Sequence, residues 1–220
     1  EYAKLGDSIG TFGFSVRKKK NEENGNISDR EEDGRDKRVK KTDSRKCDVA
    51  GRCGGCCYVN SSYGDELVDK FVLADKWLKR FGKVYPVIRA DDTTGYRCKV
   101  QAVCGYDKRG KFITGQYRRG THELVPVSSC PLEDPRASEI LASVRGFANR
   151  YGIVPFNEDT GEGDLRHVLI RIGHRTSEIM VVLVVARPSF KGERILVDSL
   201  VRKYPDIRTM VEVVNADKTN

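Results

Sequence analysis

The sequence has no apolar run approaching the roughly 18 to 20 residues needed to cross a bilayer. Its longest, Ile179 to Ala186, suits a buried strand. This excludes a membrane-spanning helix. Internal repeats, a P-loop and a glycine-rich nucleotide fingerprint are all missing, which excludes a complete cofactor-binding Rossmann unit within these 220 residues. Histidine is scarce, at three residues. His122 and His174 have no Cys or carboxylate partner at metal-site spacing, so they read as surface or loop residues. The chain opens at Glu1 with neither a Met nor a signal-like apolar segment, so it reads as a fragment of a soluble, cytoplasmic protein.

What is present is basic charge and clustered cysteine. A net charge of +8 and a pI near 9.1 favour a polyanionic partner, because grouped Lys and Arg displace counterions from nucleic acid. Between Arg17 and Lys46 lie twelve basic and eight acidic residues with little apolar content beyond Ile27 and Val39. Nothing there offsets the entropy of ordering, so residues 1–46 are expected to form a disordered, charged N-terminal segment. Residues 47–214 are expected to form the folded domain, and 215–220 the start of a linker.

Within the domain, Leu67, Phe71, Ala74, Leu78 and Phe81 recur at spacings of four and three and predict a helix, with Ser62 as its cap and Trp77 packed beside the stripe. Tyr96 to Cys104 alternates, placing Tyr96, Cys98, Val100, Ala102 and Cys104 on one face and Arg97, Lys99 and Gln101 on the other. Phe112 to Arg118 and His122 to Val127 extend an antiparallel meander. A second helix begins with Asp134 as cap and Pro135 at the first position, and stops at Gly152. A hairpin of Leu165 to Ile172 and Glu178 to Ala186 follows, then a helix ending before Pro205 and a last strand at Met210 to Val214. The expected fold class is α+β, an antiparallel sheet packed with three helices and a cysteine-rich loop.

Of the seven cysteines, four lie between Cys47 and Cys57. In a long chain such clustering points to metal binding in a reducing compartment. The arrangement Cys47-x5-Cys53-Gly-Gly-Cys56 lets three thiolates converge, and the two glycines let the backbone turn tightly around a metal centre. A closed site needs a fourth ligand. Cys130 is the candidate, because it sits in a polar loop before a helix and Cys followed by Pro recurs as a remote ligand in ferredoxin-type sites. Cys57 is too close to Cys56, and Cys98 and Cys104 fall on the apolar strand face, so these three are read as structural. Spacing alone leaves zinc and an iron–sulfur cluster both open.

In order along the chain, Cys47-x5-Cys53-Gly-Gly-Cys56, Tyr96-Arg-Cys-Lys-Val-Gln101, Cys130-Pro-Leu132, Leu165-Arg-His167 with Ile170-Arg171, and Asn215-Ala-Asp-Lys-Thr-Asn220 resemble the RNA 5-methyluridine (uracil-5-) methyltransferase family. The resemblance is strongest to the branch that modifies uracil in 23S rRNA, with tRNA as the other substrate of the family. It implies a [4Fe–4S] cluster on Cys47, Cys53, Cys56 and Cys130 that organises the domain. It further implies a reaction in which a cysteine thiolate adds to C6 of uracil and C5 takes methyl from S-adenosylmethionine. The catalytic and S-adenosylmethionine-binding residues would lie beyond Asn220, so this fragment alone would be inactive. Family members usually carry Asn at the position of Cys98 and a polar residue at that of Cys57. Their small N-terminal β-barrel is not recognisable in the first 46 residues.

Strand parity projects Arg97 and Lys99 away from the core, and places His167 and Arg171 on one face of their strand. All four fall in motifs of the resemblance, which makes them candidate RNA contacts, although an ordinary solvated strand face accounts for each singly. A monomer is expected. A reading from another class is a non-catalytic RNA-binding module stabilised by zinc or a cluster.

Overall fold

Nine elements follow one another in the order α1 (Tyr63–Leu78), β1 (Lys99–Tyr106), β2 (Phe112–Tyr117), β3 (Leu124–Pro126), α2 (Pro135–Tyr151), β4 (Leu165–Ile172), β5 (Ile179–Val185), α3 (Glu193–Lys203) and β6 (Ile207–Val214). They are seen in a computed structural model that describes residues 46–217. Apart from Lys46, the charged segment expected to be disordered lies outside the described residues, as do the last three residues of the expected linker. Among the described residues no helix is long and apolar enough to cross a membrane.

The strands form one six-stranded sheet in the order β3-β2-β1-β4-β5-β6. The first five pair antiparallel, whereas β6 runs parallel to β5. The sheet is therefore mixed, which corrects the expected antiparallel one. The cause is the β5–β6 connection: it contains α3, and a helical crossover returns the chain in the same direction, as a tight hairpin cannot. Strand β6 also begins at Ile207, three residues before its expected start at Met210.

One face of the sheet is covered. Val100, Ala102 and Cys104 of β1, Val168 and Ile170 of β4, and Val181 and Leu183 of β5 pack with Ile140 and Val144 of α2 and Leu196 and Leu200 of α3. Helix α2 forms where its punctuation requires. The Asp134 carboxylate accepts from the Arg136 amide at 3.0 Å, Pro135 opens the first turn, and Gly152 closes the helix at φ +66°. On this face Asn149 of α2 also pairs with both backbone polar groups of Phe112, accepting at 2.9 Å and donating at 3.0 Å, which locks the helix to β2.

Helix α1 differs. Ser62 caps it, its hydroxyl accepting from the Asp65 amide at 3.1 Å. None of its residues joins the main core. The apolar positions that predicted it are half-buried at Leu67, Phe71 and Ala74 and exposed at Leu78, Phe81 falls in the turn beyond the helix end, and Trp77 is 62% exposed instead of packed. The periodicity established the helix but not a partner for its apolar side. Two helices, not three, cover the sheet.

Candidate metal centre and nucleic-acid surface

Residues 47–57 form a tight loop built by local hydrogen bonds. The amides of Ala50, Arg52 and Cys53 donate to the carbonyls of Cys47, Val49 and Val49 at 3.1, 3.0 and 3.0 Å, and the buried Val49 anchors the turn. Gly54 is where the loop meets the sheet. Its amide donates to the Tyr117 carbonyl at 3.2 Å, and a Cβ there would lie 2.9 Å from that oxygen and 3.1 Å from the Arg119 nitrogen, so no larger residue permits the approach. The Gly55 amide donates to the Cys53 sulfur at 3.3 Å, the kind of contact that stabilises a thiolate.

Arg97 ties this loop to the segment carrying Cys130. Its guanidinium donates to the Gly55 carbonyl at 3.0 Å, its amide donates to the Leu132 carbonyl at 2.8 Å, and its carbonyl accepts from the Asp134 amide at 3.3 Å. As a result Cys47, Cys53, Cys56 and Cys130 line a single cavity of about 210 Å³. Apolar walls come from Val49, Val59, Val100 and Leu132. Burial pushes the Cys130 thiol up, while the amides of Leu132 and Glu133 and the charge of Arg97 favour its thiolate. The neighbouring Glu133 carboxyl is also pushed up by burial. Among the described residues no group of three or more His, Cys, Asp or Glu side chains is arranged to hold a metal ion, so what the structure establishes is the shared cavity and its thiol lining.

The other cysteines separate. Cys104 is buried on the helix-covered face, as the alternation predicts, and burial raises its thiol pKa well above the usual range. Cys98 is exposed, contrary to the expected apolar placement, because the strand starts at Lys99 and leaves Cys98 beyond the edge of the core. Cys57 is exposed too.

The four candidate RNA contacts do not share one environment. Lys99 and Arg171 are exposed and are direct partners in the β1–β4 register. Arg97 is half-buried in the clasp just described. His167 is 7% exposed, which corrects its expected outward position. It lies on the face without helices, but in a central strand with Val103 and Val184 directly beside it. Burial, and next the charge of Arg166, pushes its pKa down, and its Nδ1 has no hydrogen-bond partner among the described residues.

Sequence reasoning missed Arg166. A register shift between Leu165 and His167 turns its side chain inward, where the guanidinium lies 4.4 Å from the Phe156 ring centroid and 3.6 Å from the Glu158 carboxylate. It also donates to the carbonyls of Asn215, at 2.9 Å, and Asp217, and so holds the chain as it leaves β6. The available signal was its place in the Leu165-Arg-His167 motif, at the start of a strand rich in apolar residues.

No family model matches the chain. Its fold is shared by the Pyrococcus abyssi tRNA (uracil-54, C5)-methyltransferase solved in complex with S-adenosyl-L-homocysteine, with a TM-score of 0.62 and 20% identity over 83% of this chain and 40% of that one. In sequence it is similar to an uncharacterised RNA methyltransferase of Bacillus cereus, 29% identical over 180 residues and 80% of this chain. An uncharacterised RNA methyltransferase of Clostridium acetobutylicum is 31% identical over 181 residues and 79% of this chain. The chain spans 39% of the length of each of these relatives.

Proposed function

We propose that this chain is the RNA-binding and [4Fe–4S]-binding portion of an S-adenosylmethionine-dependent RNA (uracil-5-)-methyltransferase acting on 23S rRNA, a cytoplasmic monomer. The observation that carries the reading is the convergence of Cys47, Cys53, Cys56 and Cys130, from two distant stretches of chain, on one cavity. RNA methyltransferase relatives, and a fold shared with a tRNA uracil-C5 methyltransferase, support the class of enzyme.

Four thiols lining one cavity are the type of donor that a cluster takes. With all four corners held by protein sulfur, the cluster would serve to fasten the loop to the sheet. Arg97 holds the two cysteine segments in register, Gly54 admits the loop to the sheet, and the Gly55 amide supports the Cys53 sulfur. Lys99 and Arg171 offer exposed cations to RNA, and Arg97 and His167 support that surface from within. We assign methyl transfer to the part of the relatives' length that this chain does not span.

Anaerobic purification tests the reading. Iron and sulfide in near-equal amounts are expected, with Cys130→Ser abolishing both and Cys57→Ser retaining them. Zinc without sulfide would overturn it.

A further inference from the structure

We infer that the start of β1, the end of β4 and the starts of β5 and β6 form a binding site for the phosphodiester backbone of RNA, with Lys99, Arg171 and Arg208 as its cations. The inference rests on the RNA-binding reading above. It adds to it Arg208, which no motif singled out, and a type of contact, to phosphate and not to bases.

Register brings the site together. Lys99 is the direct partner of Arg171, Arg171 of Met180, and Met180 of Thr209, so one row crosses four strands on the face without helices. Arg208 adjoins the end of that row, and all three cations line one open groove of about 480 Å³. They are exposed, and none forms an ion pair among the described residues. Glu178 is the only carboxylate in the groove lining.

Like charges placed directly opposite across a strand pair weaken the pairing, so the Lys99–Arg171 juxtaposition costs the fold stability that an anion would restore. The groove has no aromatic side chain in its lining on which a base could stack. What it offers is two guanidinium forks and an ammonium, suited to phosphate oxygens, beside half-buried Met180 and the Thr209 hydroxyl. Lys99 also lines the cysteine cavity, so a strand lying in the groove passes beside the cysteine loop.

The experiment is fluorescence anisotropy on the full chain, purified anaerobically, with two labelled single-stranded RNAs of unrelated sequence, titrated across a range of salt. Each phosphate contact contributes about 0.7 to the slope of log K against log salt for a single strand. Arg208→Gln and Arg171→Gln are each expected to flatten the slope by about that amount and to weaken both RNAs alike. Arg194→Gln, on the 95% exposed side chain in α3, should leave the slope unchanged. Far-UV circular dichroism establishes that each variant is folded, and Arg208 on the edge strand carries the test if Arg171→Gln is not. Unchanged slopes in folded variants, with wild type still binding, would overturn this inference alone. Weakening confined to one RNA would reassign the groove to base reading and overturn the phosphate contact. A wild-type chain that binds neither RNA would overturn the RNA-binding reading with it.

Discussion

The two faces of the sheet are made of much the same residues and end in opposite situations. On one, Val100, Ala102, Val168, Ile170, Val181 and Leu183 vanish beneath α2 and α3. On the other, Val182 and His167 are buried in the central strands, but Val103, Leu169, Met180, Val184 and Val211 are only half-buried, Val213 is exposed, and the row ends in Lys99 and Arg171. The near-continuous apolar run of β5 reads like a strand buried on both sides, yet helices cover only one. Hydrophobic composition therefore fixes that a strand is a strand, while connectivity decides which side is closed.

The contrast is testable by substitution, followed by urea unfolding. Ile170→Ala, which empties a fully buried position beneath the helices, is expected to cost about 2–5 kcal/mol. Asp134→Ala removes the cap that seats α2 on the same face, with an expected loss of about 0.5–2 kcal/mol. The hydrogen bond from Arg136 is the main influence holding the Asp134 carboxyl below its ordinary value. Its contribution is thus complete above about pH 4 and is lost as pH falls through the lowered folded-state pKa, so the gap between wild type and variant should close in acid. Val213→Ala on the open face should change stability by no more than about 0.5 kcal/mol. A loss matching that of Ile170→Ala would show that the open face is closed after all.

His167 provides the smallest and most specific probe. Burial depresses its pKa, so the folded state favours the neutral ring, and the resulting stability is present above the unfolded-state value of about 6.5 and declines as pH falls below it. His167→Gln should flatten the pH dependence between about pH 6.5 and 5 without abolishing folding. An unaltered pH profile would mean the imidazole is solvated.

Much of this architecture was legible from residues alone. The caps of α1 and α2, the Gly152 stop, the bounds of β4 and the helix-covered face of β1 all follow from local chemistry, which acts over a few residues and leaves its mark there. The Cys-Pro setting made Cys130 the candidate partner of the 47–56 loop, and the two line one cavity. What escaped depends on distant chain. The parallel β6 is a property of a crossover, the inward turn of Arg166 of a bulge, and the exposure of Cys98 of where a strand happens to begin. Strand parity assigned His167 to the correct face, but parity carries no information about how deeply a central strand is flanked. Arg208 went unnoticed because β6 was expected to begin two residues after it, so its place in the row with Lys99 and Arg171 emerges only from the sheet register.

Arg97 spans the gap between the two cysteine-bearing segments with peptide and guanidinium hydrogen bonds alone. One residue is thus the common fastening of two stretches far apart in the sequence, so that loosening its side chain would free the short loop from the strand-to-helix turn it faces.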